Sequence, residues 1–255
     1  WFLFASYLIP HSPFTAPEPY YSMYPPDSFD VPTLPEGIAE ERARRQGISQ
    51  RSLIDNEAML RDITAQYYGH ITNVDDNVGR LLGALEQLGM AGDTIVVFTA
   101  DHGNMLGDRG RMFKGVMYEG SAHIPHIMRA PLNCDWAERF NGRQPVDEIV
   151  ENVDVMPTLM EMAGLPIPDG VQGRSCLSLV IGQDAKWKNR CFASLATAML
   201  RTPQWKLIDN SSTGDGPFEL YDMIEDPKET RNLANDPAHA EMIREMAAQI
   251  KAWKA

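Results

Sequence analysis

A long amphipathic helix followed at once by a run of β-branched residues constrains the fold of this chain most strongly. From about residue 56 to residue 88, apolar side chains recur at alternating steps of three and four, which predicts one face of a long helix. Two glycines end the helix, and the run 94–99 then predicts a strand covered on both faces, as in a parallel sheet. With a further strand predicted over 124–128, this order favours a doubly wound α/β sheet. The helical stripe consists of Leu60, Ile63, Tyr67, Ile71, Val74, Val78, Leu81, Leu85 and Leu88.

The composition is typical of a globular chain and excludes some classes of function. Its 255 residues suffice for one large domain, and apolar and charged residues make up 44% and 23%, close to the globular average. The 35 acidic and 23 basic residues give a net charge of −12, which is the wrong sign for binding a phosphate backbone. We therefore expect no nucleic-acid partner. The three cysteines lie far apart without C-x-x-C spacing, so neither a zinc cluster nor a disulfide framework is indicated.

The apolar run from Trp1 to Ile9 predicts a buried strand. It is too short to span a bilayer and lacks the cationic start of a signal peptide, so we expect no membrane segment. Because the chain opens inside this run and without an initiating methionine, we expect further residues upstream of Trp1. The sequence leaves the oligomeric state and the compartment open, and a secreted or periplasmic location is compatible with it.

Other stretches organise the first three quarters of the chain. Residues 10–38 hold eight prolines, which predicts an irregular extended segment of the kind that walls a site. The charged stretch 40–45 predicts a solvated helix face. Residues 151–163 predict another helix, ended by the glycine and proline that follow.

The pattern of apolar residues along the sequence changes beyond about residue 190. Short apolar runs alternate there with turn-rich stretches, which predicts a small antiparallel subdomain closed by a helix over roughly 238–253. We therefore predict two domains, residues 1–188 and residues 189–255. The three short runs are 191–195, 205–208 and 218–221.

The strongest chemical signal is the segment Thr99-Ala100-Asp101-His102-Gly103, at the end of the predicted strand. In open α/β sheets, ligands bind outside the carboxyl ends of the strands. Asp101 offers a hard oxygen donor, His102 offers a nitrogen donor, and Gly103 lets the backbone come close, so the pair is placed to hold a metal ion. The alternative is an aspartate that caps the next element and a histidine satisfied by a backbone carbonyl.

Two further residues suit an anionic substrate. Lys114, twelve residues after His102, would bring a point charge to a substrate oxygen, and the alternative is a solvated surface lysine. His11 follows the first predicted strand and so also stands at a strand exit. Because an imidazole titrates near neutrality, His11 would bind an ester oxygen or pass it a proton. The alternative is a histidine fixed in a loop by Pro10 and Pro13.

Taken together, these segments resemble the C-terminal part of the sulfatase family, within the alkaline-phosphatase-like superfamily. The resemblance covers essentially all 255 residues. Each segment is weak alone, but their order and spacing together are highly specific. They are 11–14, 67–75, 78–82, 99–103, Lys114, 118–119, Pro125, 154–159, 173–175, 220–227 and 229–233.

The resemblance implies an α/β fold, the C-terminal portion of an alkaline-phosphatase-like doubly wound sheet plus a small antiparallel α+β subdomain. It implies hydrolysis of small-molecule or carbohydrate sulfate esters at one divalent cation, usually calcium, by a formylglycine made in a C-x-P-x-R motif. Asp101 and His102 would be two of the metal ligands, and Lys114 would contact the sulfate and the bridging oxygen. His11 would bind the sulfate and help to protonate the leaving alcohol. His123 lies near a position that is often basic in relatives and would be a further substrate-binding residue.

The chain departs from the family in one respect that matters chemically. None of its cysteines or serines begins a C-x-P-x-R or S-x-P-x-R string, and the paired aspartates that complete the family's metal shell precede the point where this chain begins. Since calcium takes about six or more oxygen ligands, we expect these 255 residues alone neither to hydrolyse sulfate esters nor to bind calcium tightly. Two alternatives stay open, a phosphonate or phosphate monoester hydrolase of the same superfamily and a non-catalytic module that binds anionic sugars.

Overall fold

The computed structural model describes residues 1–32, 34–35, 56–141, 145–183, 186–211 and 215–255. Two compact units divide the chain: one comprises residues 1–91 and 104–113, and the other comprises residues 92–103 and 114–255. None of the helices in the described ranges has the length and apolar character needed to cross a bilayer. The helices are α1 (Glu57–Gln87), α2 (Glu119–Ala122), α3 (Ala137–Asn141), α4 (Val155–Met162), α5 (Leu177–Val180) and α6 (Ala240–Lys254). The strands are β1 (Val96–Thr99), β2 (His126–Arg129), β3 (Cys191–Ser194), β4 (Ala198–Arg201), β5 (Trp205–Asp209) and β6 (Phe218–Asp222).

Helix α1 confirms the long periodic stripe in the first unit. The side chain of Asn56 accepts a hydrogen bond from the Met59 amide and so caps the first turn, as short polar side chains do at helix starts. Gly89, at φ +67°, follows the last turn in the left-handed conformation that commonly ends a helix. The buried side chains lie in the first half of the helix, and they are Leu60, Ile63, Ala65, Gln66 and His70.

The proline-rich segment packs along α1. Its peptide amides reach the helix directly, since Ala16 donates to the side chain of Gln66 at 2.9 Å and Thr15 donates to the Nε2 atom of His70 at 3.2 Å. The described part of the segment is irregular, as predicted, except for two short 3-10 turns over Tyr20–Met23 and Pro26–Ser28. The predicted charged helix over 40–45 lies outside the described residues.

The prediction of a buried strand over residues 1–9 is wrong. No described strand pairs with this segment, and Trp1, Phe2 and Phe4 are 76%, 80% and 79% exposed. An apolar run becomes a strand only when a neighbour takes up its backbone hydrogen bonds, and the described residues supply none. The segment is therefore an exposed apolar patch.

In the second unit, β1 and β2 form an antiparallel pair in which Thr99 lies opposite His126. The strand predicted at 94–99 is thus present, and so is the one predicted at 124–128, shifted to start at His126. The expectation that the first strand is covered on both faces is wrong, because Phe98 and Thr99 are exposed. A single neighbouring strand covers an edge of β1, not its faces. Among the described strands all pairing is antiparallel.

A four-stranded antiparallel meander, β3-β4-β5-β6, and helix α6 follow in the same unit. Alternate residues of β4, β5 and β6 point to one face and meet the apolar stripe of α6. The meander and the closing helix were predicted, but β4 was not. The boundary between domains at residue 188 stays a prediction. The shared core consists of Ala198, Leu200, Leu207, Leu220, Ile243, Met246, Ala247 and Ile250.

Candidate functional site

The exit of β1 is held in place by hydrogen bonds to two other segments of the second unit. The Thr99 hydroxyl donates to the carbonyl of Pro125 at 2.9 Å. The Asn152 amide nitrogen, at the start of the turn before α4, donates to the carbonyl of Ala100 at 3.0 Å. The chain that leaves the strand is therefore anchored at successive residues before it reaches Asp101.

Asp101 and His102 lie side by side beyond this anchor. One carboxylate oxygen of Asp101 accepts the His102 amide at 3.0 Å, and the other lies 3.4 Å from the His102 Nε2 atom. The Nδ1 atom of His102 lies 2.9 Å from the carbonyl of Gly103, and because a carbonyl only accepts, Nδ1 carries the proton. This bond orients the ring so that its Nε2 atom lies on the same side as the Asp101 carboxylate. Metal-binding histidines are oriented in this way by a bond from the other ring nitrogen.

The donor pair suits a cation as part of its shell. The Asp101 side chain is 86% exposed and the His102 side chain 34% exposed, so both can reach an ion from solvent. Within the described residues, no group of three or more histidine, cysteine, aspartate or glutamate side chains is placed to hold a metal. A hard cation needs more oxygen ligands than this pair provides, so Asp101 and His102 fit half a site.

Gly103 docks the turn against helix α2. Its amide donates to the carbonyl of Ser121 at 2.8 Å, and a Cβ atom at position 103 would clash with the carbonyl of Gly120. Only glycine permits this close approach of two backbones. The candidate metal pair is therefore fixed relative to α2.

Lys114 belongs to the loop that leads into the same helix. It is exposed, and Gly115 follows it at φ +88°, a left-handed turn that favours glycine. Tyr118 then ends the loop, and its hydroxyl donates to the buried carboxylate of Glu219 at 2.8 Å. Lys114 is thus an accessible cation on a loop whose far end is anchored.

Glu119 begins helix α2 and His123 follows its last residue, and further charged side chains surround them. The His123 Nδ1 atom lies 3.1 Å from one Glu119 oxygen. The other oxygen lies 2.5 Å from the Lys206 ammonium and 3.7 Å from the Arg201 guanidinium. Lys206 itself is fully buried and also meets Glu229 at 2.7 Å.

These contacts shift the pKa of two groups. Burial alone would raise the pKa of the Glu119 carboxyl, but hydrogen bonds from His123 and Lys206 and the Lys206 charge outweigh it and lower that pKa to about 2. The hydrogen bond to Glu119 raises the pKa of His123 above its ordinary value. His123 therefore carries a positive charge over a wider pH range than a solvated histidine, with 76% of its side chain exposed.

His11 lies in the first unit and is exposed. Its Nδ1 atom lies 2.7 Å from the carbonyl of Ser12, so that nitrogen carries the proton and the ring is held by its own loop. The prediction that His11 shares one pocket with Asp101, His102 and Lys114 stays a prediction.

Cys176 and Cys191 show no sign of an activated nucleophile. All three are free. Burial raises the pKa of the Cys176 thiol, and burial together with the Glu151 charge raises that of Cys191 to about 11. Since the thiolate is the reactive form, such shifts suppress reactivity.

Sequence reasoning missed the role of Lys206 and Arg201. Lys206 lies in the run 205–208, whose pattern predicts only a strand. Nothing in that run distinguishes Lys206 from an outward-facing lysine. Its partners Glu119 and Glu229 lie 87 and 23 residues away along the chain. The one available signal is the alternation of β5, which puts Lys206 on the face opposite Leu207.

Comparison with known proteins places the chain in a class and then in a family. Solved structures of similar fold include the phosphonate monoester hydrolase SpPMH from Silicibacter pomeroyi, with a TM-score of 0.80 and 29% identity over 96% of this chain and 54% of that one. BT4656 in complex with its substrate D-glucosamine-2-N,6-O-disulfate gives a TM-score of 0.64 and 26% identity over 85% of this chain and 44% of the other. The fold is thus that of the alkaline-phosphatase-like hydrolases.

The family follows from the sequence matches. Residues 1–165 match the family described as sulfatase, and residues 107–255 match the one described as N-sulphoglucosamine sulphohydrolase, C-terminal. An arylsulfatase of Clostridium perfringens (strain 13 / Type A) is 33% identical over 251 residues, which cover 95% of this chain and 51% of that protein. The chain belongs to the sulfatase family, as its motifs predicted. It spans about half the length of this relative.

Proposed function

We propose that this protein takes part in the hydrolysis of sulfate esters of small molecules or sugars, with Asp101 and His102 holding a divalent cation and Lys114 and His11 binding the sulfate. The observation that carries the proposal is the His102 ring, which the Gly103 carbonyl orients so that its Nε2 atom lies beside the Asp101 carboxylate. Membership of the sulfatase family supports the same reading.

The cation, which we expect to be calcium, would neutralise charge on the transferring group and polarise its oxygens. Asp101 would supply a hard carboxylate oxygen and His102 a neutral nitrogen. The ligands that complete the shell, and a formylglycine nucleophile from a C-x-P-x-R string, would have to come from outside these 255 residues, which contain no such string. We therefore expect the 255 residues by themselves to be inactive.

The remaining steps fall to this chain's own side chains. Lys114, an exposed ammonium, would bind the anionic oxygens and the bridging oxygen, where charge develops as the ester bond breaks. His11 would bind the sulfate and, in its protonated form, donate a proton to the leaving alcohol. His123, whose pKa is raised by its hydrogen bond to Glu119, would be a further contact for an anionic group of the substrate.

A phosphonate or phosphate monoester is the alternative substrate within this chemistry. The similarity to a phosphonate monoester hydrolase, with a TM-score of 0.80, supports this alternative substrate. Sulfate and phosphonate esters present similar anionic tetrahedral groups. The second alternative is a non-catalytic module that binds anionic sugars.

The test is turnover by the whole gene product. Matched aryl sulfate and aryl phosphonate monoesters and a sulfated glucosamine are supplied with calcium and, separately, after chelation. Faster turnover of the sulfates, lost on chelation and in Asp101→Asn but kept in Asp135→Asn, supports the proposal. Asp135 is a matched control because it is an exposed aspartate of the same unit.

Two results would overturn the proposed substrate. Preference for the phosphonate would make the protein a phosphonate hydrolase, and tight binding of sulfated sugar without turnover of any ester would make it a binding module. Activity of Asp101→Asn equal to that of Asp135→Asn would remove Asp101 from the site.

A further inference from the structure

The short segment from Lys114 to His123 connects every candidate residue of the second unit. Lys114 begins it and His123 ends it. Gly103, which follows the candidate metal pair directly, is hydrogen-bonded to Ser121 within it. A displacement of this segment would therefore move the candidate substrate lysine and the candidate metal ligands together.

Glu219 and Arg201 of the four-stranded sheet contact Tyr118 and Glu119 of this segment. Lys206 of the same sheet also holds the segment. From β5 its ammonium donates to the carbonyl of Met117 at 3.1 Å and meets the Glu119 carboxylate at 2.5 Å. It also meets Glu229 at 2.7 Å, and the second oxygen of Glu229 accepts the Glu119 amide at 2.8 Å. One ammonium thus contacts both the first residue of α2 and the carboxylate that receives that residue's amide.

The burial of Lys206 makes these contacts obligatory. The side chain has no exposed surface, and Glu229 is 2% exposed. A lysine is almost never fully buried unless it is paired, and removing one partner of a buried ion pair leaves an uncompensated charge. Without the Lys206 ammonium, the Glu119 and Glu229 carboxylates would lose the charge that they share, so the contacts that hold the Glu119 end of the segment would weaken.

We propose that Lys206 is a positioning residue of the active site, which sets the location of the Lys114–His123 segment and, through Ser121 and Gly103, that of Asp101 and His102. This inference rests on the proposed function and deepens it. Lys206 itself touches no reacting atom. Its effect on catalysis passes through the loop and helix that it holds.

The first readout is the kinetics of sulfate ester turnover by the whole gene product. Because a misplacement of about 1 Å can cost about a hundredfold in rate, we expect Lys206→Met to lower kcat by about ten- to a hundredfold per folded molecule, with a much smaller change in KM. Lys206→Arg, which keeps the charge, is expected to recover most of the loss.

The matched control is Leu207→Ala. Leu207 is the next residue of β5, is fully buried and packs against helix α6. We expect its kcat per folded molecule to stay within about twofold of the unsubstituted protein. If Lys206→Met and Leu207→Ala lose the same activity per folded molecule, the positioning role is refuted and Lys206 is only a stabilising residue.

The second readout, hydrogen exchange, needs no substrate. The Glu119 and Gly103 amides report the two docking bonds. In Lys206→Met we expect both to exchange at least about ten times faster relative to the amides of α6, and in Leu207→Ala we expect no such local change. Unchanged exchange at both amides would overturn the inference. If the unsubstituted protein turns over no ester, the proposed function fails, but this comparison still decides whether Lys206 positions the segment.

A milder variant covers the case in which Lys206→Met does not fold. Glu229→Gln keeps an oxygen acceptor for the Glu119 amide but weakens the Lys206 contact. We expect intermediate losses of kcat and of exchange protection over 117–123. Protection equal to that of the unsubstituted protein would count against the inference.

Discussion

The buried charges around Lys206 predict a loss of stability that depends on pH. Replacing Lys206 by methionine leaves the aliphatic stem packed but removes the ammonium from Glu119 and Glu229. Breaking a buried pair from one side costs about 3–5 kcal/mol, and we expect a loss of that size in the free energy of unfolding at pH 7.

The sign of the pH dependence follows from Glu119. Its pKa is lowered from an ordinary 4.5 to about 2, so it adds stability that is full well above pH 4.5 and is lost as the pH falls toward 2. The shift corresponds to about 3 kcal/mol, of which roughly 2 kcal/mol is lost between pH 7 and pH 3. Protonation of Glu229, whose pKa is raised by burial, acts in the same direction on the variant, because a neutral carboxyl no longer needs the ammonium.

The assay is urea denaturation at pH 7 and pH 3, followed by tryptophan fluorescence. We expect the cost of Lys206→Met to be smaller at pH 3, by less than roughly 2 kcal/mol, because His123 also lowers the pKa of Glu119 and keeps part of this stability in the variant. Lys251→Met is the matched control, because Lys251 pairs with Asp215 at 3.3 Å with both side chains about two-thirds exposed, and its cost should stay under about 1 kcal/mol at both pH values. A cost of Lys206→Met that is the same at the two pH values would refute the reasoning.

Three further predictions follow from the second unit. Leu207→Ala should lower the free energy of unfolding by about 2–5 kcal/mol, whereas Leu132→Ala, at an exposed leucine, should change it by less than about 0.5 kcal/mol; equal costs in urea denaturation would contradict the assigned core. In NMR titration the pKa of His123 should lie above the ordinary histidine value, because Glu119 stabilises the charged ring. His123→Gln should therefore lower the free energy of unfolding at pH values below the ordinary histidine pKa and have no effect at high pH. A measured pKa below the ordinary value would contradict the Glu119 contact. Gly103→Ala should speed hydrogen exchange over 101–103 because its Cβ meets the Gly120 carbonyl, while Gly92→Ala, with open space around it, should not.

The sequence predicts those parts of the fold that depend on local periodicity. Helix α1 follows from its three-and-four spacing, with the glycine at its end in the expected left-handed conformation. Strand β4 could not be found in this way, because Ala198, Met199 and Leu200 have no β-branched character, and the strand forms since β3 and β5 flank it. The prediction for residues 1–9 is wrong for the opposite reason: their residue types favour a strand, but no described strand pairs with them.

The candidate site also contains a part that the sequence predicts and a part that it does not. Asp101 and His102 are adjacent in sequence, so the motif that contains them already predicts their proximity. Lys206 acts through residues far away along the chain, and its importance comes from complete burial, which no local pattern reveals. Long-range ion pairs of this kind have to be read from the structure.

A crystal structure of the whole gene product with calcium and a sulfate ester would test the common site most directly. We predict one cation bound by the Asp101 carboxylate, with its oxygen about 2.3–2.6 Å away, and by the Nε2 atom of His102. The Lys114 ammonium and the His11 ring should each lie about 3 Å from an oxygen of the same sulfate group. Side chains of His11, Lys114 and the Asp101–His102 pair found on separate surfaces would contradict the account.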